Sequence, residues 1–232
     1  MLDPIAVAAL GLLLGLRHAF EPDHLAAVSI LASRQGRPRD AARLGIAWAL
    51  GHTASVGAVA LAVIALGLRL PAAFQPAAEL VVAAVLVLLG LPVLLAYARG
   101  RWHMHLHAHA DGPAPHLHLH SHAQGASHRH RHGMRTARRA LAVGVAHGLA
   151  GGAALVVLLI AATPSPAARA AYFAAFGVGT IAGMLAVSWA LGLAVRAAAH
   201  RGERWARALH VAAAVGSLVA GVVLVTRVVG GS

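Results

Sequence analysis

The sequence predicts an all-α fold: a polytopic membrane protein with six transmembrane helices arranged as a 3+3 inverted repeat. Three observations carry this. Of its 232 residues, 59% are hydrophobic and 11% charged, whereas a soluble domain has about a quarter charged. Apolar runs of the roughly 17–25 residues that cross a bilayer occur three times in each half. The arginines alternate in density from one connection to the next, as topology signals do.

The first span, at about 4–33, contains Arg17-His18-Ala19-Phe20-Glu21-Pro22-Asp23-His24. Proline cannot donate to the carbonyl four residues before it, so this helix is predicted to be kinked or broken at Pro22, with backbone carbonyls left free to face a cavity. The second span, about 43–68, carries Leu50-Gly51-His52-Thr53. The third, about 77–98, is expected to be capped by Glu79 at the outer interface. A polar insert follows. The fourth, fifth and sixth spans are placed at about 137–162, 168–195 and 207–229. His200 and His210, near the last boundary, are expected at the interface. The chain thus divides, as one transmembrane domain, into a first repeat (1–100), a histidine-rich insert (101–135) and a second repeat (136–232).

Arg34, Arg37, Arg39 and Arg43 follow the first span; Arg99, Arg101, Arg129, Arg131, Arg135, Arg138 and Arg139 follow the third; Arg196, Arg201, Arg204 and Arg207 follow the fifth. The other two connections hold only Arg69 and Arg169. The positive-inside rule then makes the rich side cytoplasmic and puts both termini outside, in the cell (inner) membrane. The same placement explains the +12 charge by flanking arginines, so nucleic acid is not expected as a partner. No basic leader precedes Pro4, and no cleaved signal peptide is expected.

Matched stretches suggest duplication. Gly15-Leu16-Arg17-His18 is similar to Gly144-Val145-Ala146-His147, Gly51 and Gly57 align with Gly177 and Gly183, and Pro22-Asp23 aligns with Gly151-Gly152. With three spans per copy the copies are inverted, which is a transporter architecture.

Ionisable residues at membrane depth are costly and point to function. On a helix His18, Glu21 and His24 share one face, and a break at Pro22 would swing Asp23 toward them. Imidazole suits nickel, zinc and copper, and a carboxylate offsets cation charge. His18, Asp23, His24 and His52 are therefore the predicted metal ligands, with the ion as substrate and the bilayer as surroundings. Arg17 is placed to pair with Glu21. Glu21 and His147 are candidates for a metal or gating role, although no acid neighbours His147 in the sequence. Thr53, Ser55, Thr180 and Ser188 are expected to bond back to their own helices.

The insert holds His103, His105, His107, His109, His116, His118, His120, His122, His128, His130 and His132. Such a tract reads as a disordered auxiliary metal buffer on the cytoplasmic side. The sequence has no lysine and hence no Gly-x-x-x-x-Gly-Lys nucleotide loop, and it has no His-Glu-x-x-His motif. A transporter is expected rather than an enzyme, without a prosthetic group.

Arg17-His18-Ala19-x-x-x-Asp23-His24 resembles the signature helix of the nickel/cobalt transporter family, and Leu50-Gly51-His52-Thr53 resembles its next helix. The resemblance implies transport of Ni²⁺ or Co²⁺ through His18, Asp23, His24 and His52. Around Val145-Ala146-His147-Gly148-Leu149 the chain is more loosely similar to the family's urease-accessory-like branch, which would place cytoplasmic nickel chaperones among its partners. The chain has six spans against eight in the family's best-known members, and its histidine-rich loop resembles that of the efflux branch. Asp23 favours uptake; the alternatives are efflux through the same site and a membrane metallochaperone that loads a nickel enzyme.

Overall fold

A computed structural model describes residues 4–35, 37–66, 71–99, 102–107, 116–121, 134–151 and 165–231. The first span is two helices, α1 (Pro4–His18) and α2 (Pro22–Ser33), bent by 58° at the break. Next come α3 (Pro38–Leu66), α4 (Phe74–Ala98), the strands β1 (Trp102–His107) and β2 (His116–Ser121), then α5 (Met134–Gly151), α6 (Pro166–Arg201) and α7 (Glu203–Gly230). Among the described residues α3, α4, α6 and α7 are each long and apolar enough to cross a membrane, and α1 with α2 would make a fifth if the bent pair is one span. The predicted fourth span begins as α5; its remainder, with Gly152, lies outside the described residues.

Local chemistry sets the boundaries. Proline opens α2, α3 and α6, where its missing N–H would have had no partner. Ser165 caps α6 by accepting from the Ala168 N–H at 3.1 Å. Gly202, at φ 120°, separates α6 from α7 in a conformation closed to other residues. Glu79 does not cap α4: the helix starts at Phe74, and Glu79 instead accepts from Gln75 Nε2 at 2.9 Å.

The repeat is visible in how glycines pack. A β-carbon on Gly15 would collide with the Phe176 carbonyl, and one on Gly179 with the Leu12 carbonyl, so α1 and α6 touch backbone to backbone. The same pattern recurs between α5 and α3, where Gly144 meets the Trp48 carbonyl and Gly51 the Leu141 carbonyl. Small residues at such contacts are how membrane helices gain packing without a hydrophobic driving force. A third contact is its own mirror: Gly90 of α4 faces the Ala214 carbonyl of α7, and Gly221 faces that of Ala83.

These contacts also give directions. Helix α1 runs parallel to α6, since Gly11 lies on Tyr172 and Gly15 on Phe176, and α3 parallel to α5, since Gly144 lies on Trp48 and Gly148 on His52. Helices α3 and α6 are antiparallel, since Gly192 meets Pro38 and Gly45 meets Met184 and Ser188. Hence α1 and its repeat partner α5 oppose each other, and the repeat is inverted. The sequence alignment of the second and fifth spans is corrected by two positions: Gly51 corresponds to Gly179, not Gly177, and His52 to Thr180.

The main core gathers Ala19, Val28, Leu44, Trp48, Ala49, Ala140, Met184 and Val187. Helix α2 reaches that core through Val28 and packs besides through Ala26 and Ala27 on α4 and through Ile30 on Val93 and Ala214. His210, expected at the interface, is buried between helices at 2% exposure, with Nδ1 2.7 Å from Ser33 Oγ near the end of α2.

The insert expected to be disordered contains an antiparallel pair of strands. Its register opposes His103 to His120, His105 to His118 and His107 to His116. His109, His122, His128, His130 and His132 lie outside the described residues.

Candidate metal centre

The centre is built at the break of the first span. His18 is the last residue of α1, and Glu21 is the extended N-cap of α2. Because Pro22 has no N–H, the Glu21 N–H takes the His18 carbonyl at 3.0 Å instead. The free carbonyl expected at this point is therefore satisfied. The turn places Asp23 in the first turn of α2, where the helix dipole favours an anion, and points it back into the bundle.

Five side chains meet there. His18, His24, His52 and His147 are between 0 and 3% exposed. His18 Nε2 and His52 Nε2 are 3.1 Å apart. Asp23 spans two imidazoles, with Oδ1 3.1 Å from His24 Nδ1 and Oδ2 2.9 Å from His147 Nε2. His18, His24 and His52 can offer three ligand atoms within 4.8 Å of one another, and so can Asp23, His24 and His147. The structure thus brings together all four residues predicted as ligands, and adds His147. The acid that His147 lacks in its own repeat comes from Asp23.

Glu21 is half-exposed beside the cluster. Its Oε2 is 3.0 Å from His18 Nδ1, close in distance but off the line of a ring N–H. It faces His18 rather than Arg17, which is exposed. In the neutral network the Asp23 carboxylate receives N–H groups from His24 Nδ1 and His147 Nε2. That leaves the lone pair on His24 Nε2, which is buried and has no hydrogen-bond partner among the described residues. Carboxylates behind imidazoles fix ring orientation and raise ligand basicity at metal sites.

The sequence reading missed Trp48. Its ring stacks on His52 at 5.1 Å and 9°, and meets His24 and His147 edge-on at 5.1 and 5.3 Å. The available signal was its place one helical turn before His52, on the same face. Phe176 closes the other side, 5.3 Å from His18. Ser55 and Thr180 bond back to their own helices, to the His52 and Phe176 carbonyls at 2.9 Å.

Buried imidazoles and a carboxylate, grouped so that they could hold a metal ion, thus lie at the break between α1 and α2 of an apolar helical bundle, the class of a polytopic membrane protein. The family model of the high-affinity nickel-transport protein, NicO, matches residues 5–231, and the chain belongs to that family. It is also similar to the urease accessory protein UreH of Bacillus sp. (strain TB-90), 27% identical over 191 residues, which cover 82% of this chain and 78% of that protein. No solved structure matches.

Proposed function

We propose that the protein carries Ni²⁺ across the cell membrane, and Co²⁺ as a second substrate, through His18, Asp23, His24 and His52 with His147 beside them. The observation that supports this most is the convergence of four buried imidazoles and one carboxylate among apolar helices of a nickel-transport family. Imidazole nitrogens replace the hydration shell of the ion, and Asp23 offsets part of its charge, lowering the cost of taking it out of water. Driving force comes from an ion gradient or the membrane potential. The rich arginine side is cytoplasmic, and the histidine-rich insert acts there as a metal buffer.

Import is the favoured direction, because Asp23 supplies charge compensation for capturing scarce metal. Similarity to a urease accessory protein fits delivery to a nickel enzyme, and it also supports a second reading: a membrane metallochaperone that hands nickel to cytoplasmic carriers without net transport. Flux of ⁶³Ni²⁺ into sealed vesicles separates the two. Transport predicts saturable flux that His24→Ala eliminates; binding without flux selects the chaperone. Lower accumulation in expressing cells than in empty cells, with raised nickel tolerance, selects export.

A further inference from the structure

The five side chains do not make one ring of ligands. They fall into two groups of three that share His24. We propose that the centre holds two stations between which a single ion is passed: one of His18, His24 and His52, the other of Asp23, His24 and His147, with the His24 ring as the pivot. The inference rests on the reading of this centre as the metal path.

The His24 ring lies between the others. Its centroid is 4.3 Å from that of His18, 4.9 Å from that of His52 and 4.6 Å from that of His147, whereas His52 and His147 are 5.9 Å apart. Its two nitrogens have different neighbours. Nδ1 faces Asp23, a member of the second group, while Nε2 is buried and has no hydrogen-bond partner. A neutral imidazole offers one lone pair, so the ring serves one station at a time. Exchange of tautomer, or a turn about its side-chain bonds, moves that lone pair from one station to the other.

The stations also differ in chemistry. Three imidazoles are neutral, whereas the second set includes a carboxylate that compensates positive charge. An ion moving to the second station gains that charge and gives up two nitrogen ligands, His18 and His52, for His147. Such near balance suits a pathway, which must bind the ion and also release it.

Repeat symmetry gives the stations opposite outlooks. The relation that superposes the halves carries Gly15 onto Gly144 and, three residues on, His18 onto His147. Because the repeat is inverted, the two anchors approach from opposite membrane faces. The remaining ligands are not duplicated: Thr180 occupies the counterpart of His52, so the second repeat has no imidazole there. Asp23 and His24 of the first repeat serve both stations.

The test uses full-length protein whose eleven loop histidines are replaced by asparagine, in lipid nanodiscs for Ni²⁺ titration and in sealed vesicles for ⁶³Ni²⁺ flux. Two stations predict one ion bound per chain. His24→Ala should abolish both binding and flux. His147→Ala and His147→Gln, the latter keeping a donor for Asp23, should retain binding at the first station and lose flux. His52→Ala should retain binding at the second station, weaker by about 10- to 100-fold, and also lose flux. X-ray absorption, by the outer-shell scattering of the rings, should show three imidazoles on the metal in the His147 variants and two in His52→Ala. Loss of binding in His147→Gln equal to that in His24→Ala would mean a single shell. Wild-type flux in His147→Gln would remove the second station from the path. Should the unaltered protein move no nickel, the transport reading fails, while the binding and absorption pattern still decides whether two stations exist.

Discussion

Two regions of this molecule are rich in histidine, and they are built in opposite ways. In the bundle each imidazole comes from a different place: the end of α1, the start of α2, the middle of α3 and the end of α5. Packing fixes them, with Trp48 stacked on His52 and Gly144 seated on the Trp48 carbonyl. In the insert, histidine recurs at every second position of two strands whose register sets them opposite one another. A two-stranded ribbon alone is marginally stable in water. The bundle obtains geometry from a few residues under heavy constraint; the ribbon obtains capacity from many under little. On the proposed reading, density of histidine marks where metal would collect, and burial with a carboxylate marks where it would be chosen.

The largest effect should come from His24, the residue common to both groups. His24→Ala is expected to reduce ⁶³Ni²⁺ flux to background in protein that still elutes as a folded species, whereas His105→Ala in the ribbon should leave flux unchanged. Equal effects of the two would break the comparison.

Packing comes next. Gly144→Leu forces a side chain against the Trp48 backbone, and overpacking of this kind costs about 1–3 kcal/mol or more. Thermal melting in detergent should show a lower Tm and loss of nickel binding. Gly216 of α7 has open space around it, so Gly216→Ala should be stabilising by up to about 1 kcal/mol through helix propensity.

The two carboxylates should separate. Asp23→Asn keeps the shape but loses the charge that both His24 and His147 address, and should weaken nickel affinity by about 10- to 100-fold. Glu21, half-exposed and obliquely placed, should cost less on Glu21→Gln. Isothermal titration of the two variants gives the order.

The smallest effect should come from the insert. Replacing its eleven histidines should leave flux at saturating nickel near the unaltered level and lower it at trace nickel. Protonated imidazole cannot bind metal, so with ordinary imidazole pKa values near 6.5 the difference should be present at pH 7.5 and vanish well below pH 6. A difference that persists in acid would exclude the imidazoles as its cause.

The contrast explains what could be read from the chain. His18, Asp23 and His24 were legible because three polar groups in an apolar run share one local turn, and Pro22 dictated the break. His52 stood out by the same incongruity. The carboxylate partner of His147 was not legible, since Asp23 lies 124 residues away in sequence and only packing of α5 against α3 brings them together. The register of the second and fifth spans slipped because Gly, Ala and Val recur too often there to mark one alignment. The ribbon was visible as a strict alternation of histidine with apolar residues, but histidine content alone suggested a disordered tract. His210 sits among boundary arginines, and nothing local reveals that it is buried beside Ser33.

The break between α1 and α2 has a mechanical consequence. Helix α1 is fastened to α6, while α2 packs on α7 and α4 as well as on α6 and α3, so residues 19–21 form a joint between two arms with different sets of neighbours. His18 sits on one arm, Asp23 and His24 on the other. An ion held between them acts as a cross-brace whose strength is set by its concentration: at a hundred times Kd it would add about 2.7 kcal/mol to the stability of the closed arrangement. On the proposed reading, the ion would in this sense be a structural member of the protein for as long as it is bound.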